Sequence, residues 1–414
     1  MIDHAAYPWR AADWRGRPWQ EAVILEAHVG TFTREGTYRA IIDKLDHLVE
    51  TGITALELMP LADFAGSRNW GYDGVLWYAP DSAYGRPEDL KALIDDAHQR
   101  GLMVMLDVVY NHFGPEGNYL GRYAPSFFTE AQTPWGSAID YRVAEVRAFA
   151  IENALHWLRD YRFDGLRLDA VHAIVGAGRS LDAAFDLSKS RPASSPTRPA
   201  GISISCSRTT TISPAVLDPG EERPRGKYRA QWNDDYHHAW HVLLTGETHG
   251  YYRRLSELAA AAISPARSAP DLSIRASRQS IAAGNCAASR ATAFRRSPSS
   301  ISCRTTTRSA TARSATGSSA SPMPKAIEAA LAITLLAPTI PMLFMGEEWG
   351  SKAPFPFFCD FKGELAERRA ARAAARSSLS AYDKYGDEIP DPLGNTDFAI
   401  RRRWIGRTRL ATRR

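Results

Sequence analysis

From residue 22 to about 175, apolar runs alternate with stretches whose apolar positions recur at helical spacing. "AVILEAHVG" (22–30) is an apolar strand closing on Gly30. "TYRAIIDKLDHLVETG" (37–52) sets Ile41, Ile42, Leu45, Leu48 and Val49 on one helical stripe, with Gly52 as the stop. "ITALELMPL" (53–61) is the next buried strand. "RPEDLKALIDDAHQRG" (86–101) follows as a helix, opening on Pro87 with acidic residues in its first turn and closing on Gly101. "LMVMLDVVYNH" (102–112) is a strand that is polar only toward its C-terminal end. "VRAFAIENALHWLRDY" (146–161) is a helix, and "DGLRLDAVHA" (164–173) a strand. Near-continuous apolar strands separated by helices predict a parallel sheet covered on both faces. Strands that repeatedly end in polar residues fit a (β/α)8 TIM barrel, whose chemistry sits at the C-terminal strand ends. A doubly wound sheet fits less well, because no Gly-rich phosphate turn follows the first strand.

After about Leu187 the pattern fails. Residues 188–213, "SKSRPASSPTRPAGISISCSRTTTIS", have neither period, and the stretch near 260–322 behaves alike. Disordered linkers are the plain reading of such composition. Two of them inside a barrel of otherwise short loops would be unusual. Between them stands the ordinary-looking "RAQWNDDYHHAWHVLLTGETHGYY" (229–252). The pattern returns in "AIEAALAITLLAPTIPMLFMGEEWG" (326–350), a helix and then a strand ending at Gly346.

Composition narrows the function. The chain has 414 residues and is 44% hydrophobic, enough for a large core. Its net charge of +5 comes mostly from arginine in the irregular tracts and at the end, "RRRWIGRTRLATRR", with no stacking motif or recognition helix beside it. No nucleic-acid partner is expected. No apolar run reaches the ~18 residues of a membrane span and no signal peptide opens the chain, so a soluble, cytoplasmic protein is expected. Three of the four cysteines, Cys206, Cys286 and Cys303, fall in the irregular tracts without metal or disulfide spacing. His237 and His238 are adjacent, so a strand would splay them to opposite faces. Neither a metal nor a cofactor is expected.

Polar groups gather at strand ends: Asp107, Asn111 and His112 after the third strand, Arg167, Asp169 and His172 after the fourth. Residues 167 and 169 share one face of a strand, and an arginine beside a carboxylate favours its ionised form. Alone, such a pair is more often a structural ion pair. In combination, "DVVYNH" (107–112), "DGLRLDAVH" (164–172) and the preceding "GYDGVLWYAPDSAYG" (71–85) resemble signature regions of the α-amylase superfamily of glycoside hydrolases. Within it, "EAHVGTFTREGTY", "LMPLADFAGSRNWGYDGV", "NHFGPEGNYLGRYAPSFFTE", "AQWNDDYHHAWHVLLTGET" and "PMLFMGEEWGSKAPFPFFCDFKGELAE" narrow the resemblance to the maltooligosyltrehalose trehalohydrolases. The resemblance implies retaining hydrolysis of an α-1,4 bond beside a terminal trehalose unit, on an α-glucan substrate. Asp169 matches the nucleophile and Arg167 the arginine that orients it. Tyr72 matches a stacking aromatic, His112 a sugar-binding histidine, and Asp107 an aspartate that organises the site. His172, Trp232, Asp234 and Asp235 fall in substrate-contacting segments. Trp349, Phe355 and Phe357 follow the last strand, where rings either line the groove or pack the core.

Two signatures are missing. The family's third region carries the general-acid Glu in an "LVLEND"-like strand end, and its fourth carries an Asp after a His in "QNHDQIGNR". By order along the chain, "ISCSRTTTIS" from Ile204 and "ISCRTTTRS" from Ile301 stand in their places. The first can be encoded ATC TCG TGC TCG AGA ACG ACG ACA ATC AGC. Starting each codon on the last base of the one before gives Leu-Val-Leu-Glu-Asn-Asp-Asp-Asn-Gln. The second, regrouped the same way from ATC TCC TGC AGA ACC ACG ACC AGA TCG, gives Leu-Leu-Gln-Asn-His-Asp-Gln-Ile. Both tracts thus read as frame-shifted, through a sequencing error or a real lesion, which disrupts the barrel units near 188–213 and 260–322. The general acid would fall at Ser207 and Arg208, and the second Asp at Thr306 and Thr307. The expected organisation is a remnant or linker at 1–21, a barrel at 22–362 and a shortened C-terminal region at 363–414. The family's usual β-sandwich before the barrel is expected to be absent.

Overall fold

In the computed structural model the described residues are 2–133, 136–170, 174, 230, 232, 240–244, 324–337, 339–351, 355, 357–364, 366–367 and 393, with the backbone of 202–205 and 300–302. Seven of the strands form one sheet: β1 (Ile24–Ala27), β2 (Ala55–Leu58), β3 (Met103–Val108), β4 (Gly165–Leu168), β5 (Ile202–Ser205), β6 (Ser300–Ser302) and β7 (Ile340–Phe344). Every pairing is parallel, in the order β6-β7-β1-β2-β3-β4-β5. Ile24 lies opposite both Met342 and Ala55, so the first strand joins the last as well as the second. A doubly wound sheet starts at its centre and works outward to two edges. Here neighbours follow one cyclic order, as in a (β/α)8 barrel.

Strand alternation divides the core in two. Leu25, Leu56, Leu58, Val104, Leu106, Leu166 and Leu343 face outward to the helices. Ile24, Ala55, Met103, Met105, Ile340 and Met342 pack against one another inside. Of the helices, α1 (Tyr38–Ile42), α2 (Leu45–Glu50), α3 (Pro87–Gln99), α4 (Ala144–Arg159) and α5 (Pro324–Leu336) follow the expected stripes. The segment 37–52 is two helices rather than one. The Lys44 amide donates to the Ile41 carbonyl three residues back, a tighter turn that breaks the run. Ile41, Leu45 and Leu48 are buried, whereas Val49 is exposed. α3 begins where Asp89 accepts from the Arg86 amide at 2.9 Å, and it ends at Gly101, whose φ of +74° suits glycine.

The irregular tracts contribute two short strands to the sheet. The Ile-Ser alternation of 202–205 and 300–302 has the period of a strand, and a neighbouring backbone pairs with it whatever the side chains. The rest of both tracts lies outside the described residues.

Residues 2–21, expected as a remnant or linker, are tied to the barrel. Arg10 pairs with Asp95 at 2.9 Å and Asp96 at 2.6 Å. Trp14 stacks on His98 with centroids 4.8 Å apart. Asp164, just before β4, accepts from Trp14 Nε1 (2.7 Å), His98 Nε2 (2.9 Å) and the Val104 amide (2.8 Å). Removing this buried acceptor strands three donors. Asp164→Ala is expected to cost about 3–5 kcal/mol of stability, measured as a lower urea midpoint with the slope unchanged.

Candidate active site

The inward positions of the strands turn from apolar to charged toward their C-terminal ends. Ile24, Ala55 and Met103 lie at one level of the register, Glu26, Glu57 and Met105 at the next, and Asp107 and Arg167 above them. The β3–β4 register sets Asp107 directly beside Arg167. Arg167 Nη1 donates to Asp107 Oδ2 at 2.6 Å and lies 2.8 Å from Asp169 Oδ1. Asp169 extends the ladder one residue, its amide donating to the Val108 carbonyl at 2.9 Å. Ala170 then takes a left-handed φ of +44°, turning the chain sharply after the carboxylate.

A braced loop supplies the next layer. Gly71 donates to Asn69 Oδ1 and Asn69 Nδ2 to Asp73 Oδ2, both at 2.8 Å. Gly71 has φ +99°, and a Cβ there would run into the Pro60 carbonyl. The loop aims the Tyr72 hydroxyl at Asp107 Oδ2 (2.7 Å), while His112 Nε2 donates to the Tyr72 carbonyl at 2.9 Å. Beneath, the Arg167 guanidinium sits 4.1 Å from the centre of the buried Trp232 ring.

Exposure separates the two aspartates. The Asp169 side chain is 16% exposed and that of Asp107 only 1%. Asp169 alone of this pair is open to a ligand, and Asp107 holds Arg167 and Tyr72 in place. Burial pushes the Asp107 carboxyl up to about 7, with Arg167 opposing and Asp169 reinforcing the rise. The neighbouring arginine therefore does not hold Asp107 low, because burial outweighs its pull. Burial, then Asp107, raises the Tyr72 phenol well above its usual range.

The expected residues Tyr72, Asp107, His112, Arg167 and Asp169 form this one network, with Trp232 below it. Of the two roles open to Phe355, the structure shows packing: it is buried in the core cluster, stacked on Trp70 with centroids 5.2 Å apart and packed on Phe344 at 4.9 Å. Phe357 is half-buried against the edge of Trp70, and Trp349 is half-buried on the turn Glu347–Trp349 after β7. His172, Asp234, Asp235, Ser207, Arg208, Thr306 and Thr307 lie outside the described residues, as do His237 and His238.

Sequence reasoning passed over Glu26 and Glu57. Each is a lone charge at an inward position of an apolar strand, and that was the available signal. The Glu57 carboxyl is fully buried and neither oxygen has a hydrogen-bond partner. Burial first, then Glu26 and Asp107, raise its pKa well above the carboxylate range against the pull of Arg167.

The alpha-amylase catalytic domain family matches residues 6–134. The malto-oligosyltrehalose trehalohydrolase of Arthrobacter ramosus is 39% identical over 96% of this chain and 68% of its own length. That of Deinococcus radiodurans is 36% identical over 96% of this chain and 64% of its own length. A candidate alpha amylase from Salmonella typhimurium, solved as a crystal structure, superposes with a TM-score of 0.82 at 36% identity, over 97% of this chain and 67% of its own. The fold and the strand-end carboxylates together define an alpha-amylase-family glycoside hydrolase domain. Within that family the chain belongs with the malto-oligosyltrehalose trehalohydrolases, of which it spans about two-thirds of the length.

A carboxyl whose folded pKa is raised favours the folded state below its unfolded pKa, and that contribution is lost as pH rises through the folded value. Glu57→Gln keeps the shape and removes the ionisation. The variant is expected to lose less thermal stability than the parent between pH 6 and pH 9. Parallel curves of Tm against pH would show that Glu57 does not carry a proton in the fold.

Proposed function

We propose that this chain is built to hydrolyse the α-1,4 glucosidic bond beside the terminal trehalose of maltooligosyltrehalose, with retention, and that as written it lacks the proton donor. The observation that carries the first part is the half-buried Asp169 carboxyl group held by Arg167 at the C-terminal mouth of a parallel barrel. Retaining glycosidases use one carboxylate to attack C1 and a second carboxyl to protonate the leaving oxygen. Asp169 is the nucleophile in this reading. Arg167 fixes its orientation, Asp107 fixes Arg167, and Tyr72 and His112 contact the sugar in the reacting subsite. His172, Trp232, Asp234 and Asp235 extend the binding surface, with Trp349 and Phe357 along its edge. The 1–21, 22–362 and 363–414 divisions remain the proposed domain plan.

The second part rests on the two Ser/Arg/Thr tracts. Leu168, the residue before Asp169, pairs with Ser205, and by order along the chain Ser207 and Arg208 take the place of the family's general-acid Glu. A general acid belongs there, and neither residue is a carboxylic acid. By the same chain order Thr306 and Thr307 take the place of the family's second Asp, which steadies the transition state. This favours a second reading for the chain as written, a glucan-binding remnant without turnover. Branching or debranching of α-glucans is the alternative within the same family. It is distinguished by products from plain maltooligosaccharide.

Loss of a general acid costs about 10²–10⁴ in rate. The chain as written is expected to release trehalose from maltooligosyltrehalose at least that much more slowly than a version carrying Leu-Val-Leu-Glu-Asn-Asp and Gln-Asn-His-Asp in the two tracts. Equal rates would overturn the assignment of the acid. Fluoride leaves without protonation, so α-maltosyl fluoride bypasses the missing acid. Mass spectrometry of the chain after exposure to it is expected to find a maltosyl ester on Asp169, and none in Asp169→Asn. An unmodified Asp169 would remove it as nucleophile.

A further inference from the structure

Away from the barrel mouth, one cluster has the donor atoms of a metal site. His4, on the short turn His4–Ala6, meets His156 near the end of α4 and Asp160 just beyond it. One ring nitrogen from each histidine and one Asp160 oxygen lie within 4.8 Å of one another. The sequence offered no hint of it, since His4 and His156 are joined only by the fold.

The hydrogen bonds of His156 call for a cation. Its Nε2 lies 3.1 Å from the Tyr78 carbonyl oxygen, and its Nδ1 2.8 Å from Asp160 Oδ2. A carbonyl only accepts, so Nε2 carries the hydrogen. On a neutral ring Nδ1 is then a lone pair facing a carboxylate oxygen, two acceptors in contact. Either a second ring proton or a metal ion between them resolves this. A histidine whose far nitrogen donates to a backbone carbonyl is the usual outer arrangement around a metal ligand. His4 supplies the third donor. Its Nδ1 is buried and has no hydrogen-bond partner among the described residues. The opposing charge is Lys91, whose ammonium donates to the His4 carbonyl at 3.0 Å.

We propose that His4, His156 and Asp160 bind a divalent transition metal of the zinc type, with water completing the site, and that the ion fastens the segment before β1 to α4. Two imidazoles and a carboxylate are a donor set that zinc accepts. Bonds of about 2.0–2.2 Å place tetrahedral donors about 3.4 Å apart, so a separation of 4.8 Å must close by about 1.4 Å, while the 2.8 Å between His156 Nδ1 and Asp160 Oδ2 opens by about 0.6 Å. His4, on a three-residue turn, packs its ring edge-on to His156 and Tyr161 with centroids 5.1 and 5.2 Å away, and this is the ring that must turn to close the site.

The test is zinc titration of the full chain at pH 7.5 against a chromophoric chelator, beside His4→Ala and Asp160→Asn. The parent is expected to bind one more equivalent of zinc than either variant, and zinc is expected to raise the Tm of the parent alone. Loss of that equivalent in both variants supports the site. Retention in either variant, or no zinc bound by the parent, overturns it in favour of a protonated His156.

Discussion

One guanidinium holds the mouth of this barrel together. Arg167 is shared between Asp107 and Asp169, lies over Trp232, and is the cation set against Glu57 below. Two carboxylates on one buried cation cannot both be fully compensated, and the more deeply buried one bears the cost. Burial pushes Asp107 up to about 7, with Arg167 opposing the rise and Asp169 adding to it. The Tyr72 loop, the β3–β4 register and the turn after Asp169 all converge on this pair. Were Glu57 to ionise, it would compete for the same charge. Burial raises its pKa well above the carboxylate range, which opposes that ionisation.

Much of this is legible in the chain because strand periodicity is strict. Once "LMVMLDVVYNH" and "DGLRLDAVHA" are read as parallel strands, alternation sends Asp107, Arg167 and Asp169 inward and Leu106, Leu166 and Leu168 outward. Helix α3 is equally clear, with proline at its start and glycine past its end. What escaped depends on contacts remote in sequence. Nothing local distinguishes Phe355 in the core from Phe357 at its edge, and the break between α1 and α2 turns on a single hydrogen bond. The interior glutamates were visible as charges in apolar strands, but their meaning required the register that stacks them under Arg167.

The irregular tracts show how little a sheet's pairing asks of its side chains. Ile202–Ser205 and Ser300–Ser302 take their places beside β4 and β7 because pairing needs only backbone and a period of two. Chemistry is less forgiving. In the proposed reading Ser207, Arg208, Thr306 and Thr307 replace the family's Glu and Asp by chain order, and none of the four is a carboxylic acid.

The nucleotide sequence across codons 185–325 tests this account most directly. The account predicts that bases coding for Ile204–Ser213 and Ile301–Ser309, read one step out of frame, spell Leu-Val-Leu-Glu-Asn-Asp and Gln-Asn-His-Asp. An uninterrupted natural frame through both would mean that the tracts are a sequencing error, and an interrupted one that the gene is damaged. Codons whose shifted reading yields neither string would contradict the claim that these tracts stand where the catalytic carboxyls belong.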